Sequence, residues 1–361
     1  MFMKSKATSG ALTLIRPLDA DFSRTRTEAG ARPRPALFSE EERRDYLTRF
    51  GWRSNAYFNL QDGVDYFDVP GVGFVSYYRQ RRFRSEVPIV FTRPVCAALD
   101  LERLLSLFLA YQGARAVFVG IDAEVAAILR PLGFTTNVVA TEFDLPLESF
   151  DLKGREMKYL RHAQNSGGKA VEVRELPWSK VDGQAVVDIS TAWRLGKAVP
   201  DRELRLTTRP PEFKDRWGIR RFYAFKDGEL VGYVFFDPFF RDGRVIGYTA
   251  NILRSKPGLK PHGVLDYIIL KAIEKFRAEG LETFSLGQAP LHGVVPCQGE
   301  SSFLRRCAAF IYERCGSLFA CKDLGFHKMR YRAKEEPMYL AKRGLGDLAT
   351  VWLLLRATNA V

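Results

Sequence analysis

Residues 221–286 read RFYAFKDGELVGYVFFDPFFRDGRVIGYTANILRSKPGLKPHGVLDYIILKAIEKFRAEGLETFSL, and this stretch decides the fold. Arg221–Phe225 and Leu230–Phe236 are expected strands. Lys226-Asp-Gly-Glu229 joins them, its Asp-Gly supplying the positive φ of a tight hairpin turn. Arg241-Asp-Gly-Arg244 repeats that signal and leads into a strand over Val245–Leu253. The loop from Arg254 to Gly263 then opens a helix. Its Leu265, Ile268, Ile269, Ala272, Ile273 and Phe276 share one face, and Gly280 caps its end. Thr283–Leu286 is the next strand. A meander, a loop, a helix and a strand in that order make one α/β unit.

Working outward, the first half shows the same arrangement. Ala56–Leu60, Val64–Val69, Gly73–Tyr78 and Val87–Thr92 are β-rich runs, separated by turn residues such as Asp62-Gly63 and Pro70-Gly71. Leu101, Leu104, Leu105, Phe108 and Leu109 then mark one stripe of a helix. Ala116–Gly120 reads as a buried strand, Asp122–Leu129 as a short helix, and Leu132-Gly-Phe134 leads into another strand. The expected organisation is a flexible basic leader over 1–36, α/β units over 37–146 and 150–343, and an amphipathic C-terminal helix over 344–361.

A chain of 361 residues, 46% hydrophobic and 27% charged, is globular rather than disordered and large enough for two cores. No run reaches the roughly 20 apolar residues of a bilayer span, and the opening residues lack a secretory signal. The expected location is cytoplasmic, with contact to the inner face of the membrane left open. Cys96, Cys297, Cys307, Cys315 and Cys321 form no CxxC pair, which argues against a zinc site or a disulfide framework. The net charge of +13 attracts polyanions: tRNA, anionic lipid headgroups or nucleotides.

Five local motifs, in order, carry a resemblance. They are Gly154 followed by Tyr159-Leu-Arg-His-Ala-Gln-Asn165 with Trp193 in the next helix, Pro261-His-Gly-Val-Leu-Asp266, Ser285-Leu-Gly-Gln-Ala-Pro-Leu291, His327-Lys-Met-Arg-Tyr331, and Glu336-Pro-Met-Tyr-Leu-Ala341. Across about residues 45 to 343 the chain resembles the synthase domain of the phosphatidylglycerol lysyltransferase family, read here as a free-standing member without the family's multispan flippase. The resemblance implies an α/β (α+β) fold of tandem acetyltransferase-like (GNAT) domains, mixed β-sheets flanked by helices. It also implies an aminoacyltransferase with aminoacyl-tRNA as co-substrate, no bound cofactor, and an anionic phospholipid or small-molecule acceptor. Departures occur at Gly325-Phe326, where the family has paired arginines, and at His327, Leu265 and Arg330.

Transfer of an aminoacyl group needs a proton acceptor for the incoming hydroxyl or amine, a stabilised oxyanion, and a grip on phosphate. Asp266 lies at a helix start off the apolar stripe, placed to act as base, to orient the donor's amine, or to complement the helix dipole. Lys328 and Arg330 alternate with apolar residues, which on a strand puts both cations on one face, suited to a phosphate or carboxylate. These three are the candidate catalytic residues. Substrate contacts are expected from Lys158 and Arg161 on a basic helix that also carries His162. Others are expected from Arg254, His262 and Gly263 on the loop with Lys256 and Lys260, from Ser285 and Gln288 on the strand end, and from Arg305 and Arg306 at the head of Phe303–Tyr312. His262 and His292 flank these loops as proton shuttles or structural groups. The stripe Leu348, Val351, Trp352 and Leu355 suits packing on the protein's own surface or resting on a membrane.

Two other functions fit the same residues. One is a coenzyme A-dependent N-acyltransferase. Pro261 and Leu265 argue against it, because they block positions where such enzymes bring backbone to pyrophosphate. The other is a non-catalytic RNA or anionic-membrane binding protein, for which Asp266 would be dispensable.

Overall fold

The computed structural model describes residues 37–82, 85–113, 115–196, 203–314 and 321–360. The leader expected over 1–36 and Cys315 lie outside them. Cys96, Cys297, Cys307 and Cys321 carry free thiols.

The first half opens with α1 (Glu40–Phe50), begun by a capping box in which Ser39 and Glu42 satisfy each other's backbone amides. β1 (Asp65–Val69), β2 (Gly73–Arg82), β3 (Ser85–Val90) and the short β4 (Val95–Cys96) follow, then α2 (Leu101–Gln112), β5 (Ala116–Ile121), α3 (Ala123–Leu129) and β6 (Thr135–Pro146). The second half runs α4 (Lys158–Ala170), β7 (Glu172–Glu175), α5 (Gly183–Leu195), β8 (Arg220–Lys226), β9 (Glu229–Arg241), β10 (Arg244–Ser255), α6 (Val264–Ala278), β11 (Thr283–Pro290), α7 (Ser302–Arg314), α8 (Cys321–Met329), β12 (Lys334–Arg343) and α9 (Asp347–Ala357).

Among the described residues the strands form one mixed sheet, ordered β1-β2-β3-β5-β12-β6-β11-β10-β9-β8-β7, with β4 on β2. The internal repeat is visible in it. β3 and β5 pair in parallel around α2, as β10 and β11 do around α6, and all other neighbours among the described residues are antiparallel. Each half places its last strand against the other. β6 pairs with β11 of the second half, and β12 pairs with β5 of the first. β6 and β12 also pair with each other, Glu142 opposite Glu336 and Asp144 opposite Lys334. The junction of the halves is therefore the centre of a sheet.

Helices cover both faces. Leu104, Leu105 and Phe108 of α2 pack with α3 on the first half. Ile268, Ile269, Ala272 and Phe276 of α6 pack with Leu160 of α4 on the second. On the opposite face α5 packs on β8, β9 and β10.

Two local expectations need correction. Ala56–Leu60 is a short 3-10 helix rather than a strand. All five of its residues are buried, and Asn59 donates to the Ala56 carbonyl, so backbone groups are satisfied without a strand partner. In α9 the buried residues are Thr350, Leu353 and Ala357, whereas Leu348 and Trp352 point to solvent, so the expected stripe is not the packed face.

Candidate active site

Gly263, in the left-handed region at φ +91°, caps the N-terminus of α6 and turns the chain into its first helical turn. Asp266 sits in that turn and is only 3% exposed. One carboxylate oxygen accepts a 2.7 Å hydrogen bond from the Tyr331 hydroxyl, and the other accepts from Tyr159 at 3.3 Å. His327 Nδ1 stands 3.6 Å from the same oxygen that Tyr331 reaches. The Arg330 guanidinium lies over the Tyr159 ring, 4.1 Å from its centroid. Three segments far apart in sequence, the starts of α4 and α6 and the end of α8, thus meet at one carboxylate.

Each neighbour's protonation follows from burial beside a negative charge. Desolvation, with Asp266 adding to it, raises the Tyr331 phenol well above its ordinary value and raises Tyr159 as well. Both stay protonated donors. Desolvation lowers His327, with Lys328 and Arg330 adding to the fall and Asp266 opposing it. A neutral imidazole 3.6 Å from a carboxylate oxygen can take up a proton, and the carboxylate favours the charged form.

Lys328 points the other way. Its ammonium is buried and donates to the Gln288 carbonyl on β11 at 2.7 Å. Burial lowers its pKa to about 7, and the Glu142 and Asp144 carboxylates limit the fall. A bulge in β11 between Ser285 and Gly287 makes the room. Ser285 accepts from the Gly287 amide at 3.0 Å, and a Cβ on Gly287 would stand 3.7 Å from the lysine nitrogen. Behind the bulge, Arg53 pairs with Glu142 and with Glu336 (2.9 Å), and Ser54 donates to Glu142. Burial, with Glu142 beside it, raises Asp144 well above the usual carboxylate range, while Ser285 and Arg53 oppose the rise. One Asp144 oxygen is buried with no hydrogen-bond partner among the described residues.

The expected residues divide by what they touch. Lys328 and Arg330 do not lie on a strand. Lys328 is in the last turn of α8 and Arg330 follows it, and the helical rotation sends Lys328 inward and Arg330 onto Tyr159. Arg254, expected to contact substrate, is buried as a pillar between Ser190 and Glu203, stacked on Trp193. Arg161 holds the carbonyls of Leu152 and Gly154, at 2.5 and 2.6 Å, and so fixes the segment before α4. Gly263 faces Ala163 of α4, not an open groove. Lys256 pairs with Glu229, Lys260 lies against exposed His262, and Arg305 pairs with Glu300. Lys158 and Arg306 are exposed, and Gln288 also reaches the Gly120 carbonyl. His292 bonds to Tyr312 at 2.8 Å.

Sequence reasoning did not assign roles to Tyr159, Tyr331, His327, Glu142, Asp144 and Arg53. The first three stand inside motifs quoted above, and that position was the available signal. The acids and Arg53 carry no local pattern.

Residues 44–342 match the family described as "Phosphatidylglycerol lysyltransferase, C-terminal". The chain is 22% identical over 310 residues (84% of the chain) to an uncharacterized protein of Corynebacterium glutamicum, spanning 38% of that protein's length. It is 23% identical over 247 residues (68% of the chain) to the phosphatidylglycerol lysyltransferase of Bacillus subtilis, spanning 28% of it. The chain thus covers well under half the length of these curated relatives. The solved structure of L-PGS from Bacillus licheniformis shares the fold at TM-score 0.71 and 18% identity, over 90% of this chain and 98% of that one. A match that runs through both halves and takes in Asp266, Lys328 and the exchanged strand β12 leaves one conclusion: the chain belongs to the phosphatidylglycerol lysyltransferase C-terminal family.

Proposed function

We propose that this chain transfers an aminoacyl group from aminoacyl-tRNA to a hydroxyl of an anionic phospholipid of the phosphatidylglycerol kind. The observation that carries this reading is the meeting of α4, α6 and the end of α8 at Asp266, with a neutral imidazole and two protonated phenols around one carboxylate. In the transfer, the acceptor oxygen attacks the ester carbonyl carbon and gives up its proton. The ribose–ester C–O bond then breaks and the ribose oxygen takes a proton. His327, beside Asp266, suits the proton transfers. Tyr331 and Tyr159 donate their hydroxyl protons to Asp266 and so hold the carboxylate beside His327, and Arg330 suits a phosphate.

The packing of α4 across the start of α6 supports a tRNA donor over coenzyme A. A Cβ on Gly263 would come within 2.9 Å of the Ala163 Cβ, so α4 occupies the space where a pyrophosphate would approach that helix end. The location implied is cytoplasmic, at the membrane face.

The test is incubation of the full chain with radiolabelled aminoacyl-tRNAs and total lipid extract. Label is expected in an anionic lipid and lost with Asp266→Asn. Label in a water-soluble adduct would move the acceptor to a small molecule. No label with any tRNA, joined to acetyl transfer from acetyl-coenzyme A, would replace the reading.

A further inference from the structure

The helix that carries Lys328 buries a lysine and leaves large apolar side chains exposed. The inward side of α8 holds Gly325 and Lys328. Gly325 lies so close to the loop after β11 that a Cβ there would stand 2.7 Å from His292 Nδ1. Leu324, Phe326 and Met329 are exposed, Phe326 to 51%, with Asp323 exposed among them. A helix on a water-soluble surface ordinarily buries its apolar side chains and exposes its charged ones. The flanking helices also expose large apolar side chains. Phe303 and Phe310 of α7 are exposed, Phe310 to 62%, while Leu304 and Ala308 are buried. On α9, Leu348 and Trp352 are 69% and 53% exposed. α7 packs against both α8 and α9, so the three helices are neighbours. Of the 14 large apolar side chains exposed among the described residues, 7 stand on these three helices, which is a patch rather than scatter.

Cations surround the patch. Arg306, Arg314, Arg330, Arg332 and Arg356, on these helices or just after α8, are all exposed, against the exposed acids Glu313 and Asp323, and Arg332 lies 3.7 Å from Glu156. Of these acids, Glu313 is already paired with Lys322. Apolar side chains ringed by arginines complement an anionic bilayer, where aromatic and aliphatic groups enter the headgroup boundary and guanidiniums meet phosphates. A second copy of the chain is a poorer occupant, because a two-fold contact would set this cationic rim against itself.

We propose that the outer face of α7, α8 and α9 seats the protein on an anionic membrane surface, so that α8 shows its apolar side to lipid and Lys328 to the site beneath. The proposal deepens the lipid-acceptor reading and rests on it for its purpose, but its test requires no turnover. The full chain is floated with vesicles of phosphatidylglycerol and phosphatidylethanolamine, and separately with phosphatidylcholine alone. Binding is expected to the anionic vesicles only, and to weaken as salt rises from about 0.05 M to about 0.5 M. Leu324→Glu with Phe326→Glu should lower partition about tenfold or more, as should Leu348→Glu with Trp352→Glu on a different helix, while circular dichroism stays unchanged. Aminoacylation of a short-chain, water-soluble phosphatidylglycerol should stay within about twofold in the Leu348→Glu with Trp352→Glu variant, whose helix carries no residue of the site. Equal binding to both vesicle types, unchanged partition in both variants, or a dimer that the substitutions split in sedimentation velocity would overturn the proposal. Vesicle capture with no lipid ever labelled would remove the lipid-acceptor reading and leave the docking surface standing.

Discussion

At the scale of single residues, Asp266 gathers the site, and its substitutions separate charge from shape. Asp266→Asn keeps the volume but cannot hold an ionised partner beside His327, so kcat/KM for aminoacyl transfer should fall about 100-fold or more. Tyr331→Phe removes one donor to a buried carboxylate and should cost on the order of 2 kcal/mol of stability. Chemical denaturation measures that loss, and no loss would mean the 2.7 Å contact is not formed in solution. Lys328 offers a pH test. Below about pH 7 native and unfolded chains both hold its proton, and the native state bears the cost of a buried ammonium. Between there and the ordinary lysine value only the unfolded chain holds it, so this residue makes stability rise with pH. Comparing wild type with Lys328→Met by denaturation at about pH 7.5 and about pH 9.5 should show wild type gaining on the order of 2 kcal/mol relative to the variant. Asp144, its pKa raised, acts with the opposite sign at lower pH. It protonates in the native state first, so its contribution is present in acid and is lost as pH rises.

At the scale of elements, legibility followed the range of the forces involved. The hairpins at Lys226–Glu229 and Arg241–Arg244 and the stripes of α2 and α6 were readable because a turn residue or a helical period is set by neighbours in sequence. The run Lys328-Met-Arg330 was read as a strand because alternation over three residues also fits the end of a helix. The structure makes it the end of α8, where Gly325 packs closely on His292 and Tyr312. Arg254 looked available for substrate because nothing local announces Ser190 and Glu203 as its partners. Gly263 had a readable capping role, but its second role as the contact point of α4 on α6 was not readable. Gly263→Ala should cost roughly 2–4 kcal/mol, part from the positive φ and part from the 2.9 Å contact with Ala163. Adding Ala163→Gly should recover only the contact part. Full recovery would show that the backbone conformation carries no penalty, and no recovery would remove the contact.

At the scale of the whole described unit, the exchange of β6 and β12 matters most, and it was the least readable, since strand order across the junction is a property of pairing between residues some two hundred apart. It places Glu142, Asp144 and Glu336 side by side in the middle of the sheet, where like charges would repel without a counter-ion. Arg53, on the segment after α1, supplies that counter-ion by reaching Glu142 on one strand and Glu336 on the other. A buried ion cluster of this kind contributes little net energy when intact, yet it is costly to break because the remaining charges stay buried. Arg53→Met should therefore destabilise by about 3–5 kcal/mol, whereas Arg49→Met, whose ion pair with Asp45 is exposed, should change stability by less than about 1 kcal/mol. Because each half is completed by the other's last strand, and Pro35–Val361 forms one compact unit, the loss should appear as a single calorimetric transition moved down in temperature. Two separated transitions in the Arg53 variant, one for each half, would show that the halves fold independently and that the exchanged strands are an ornament rather than the joint.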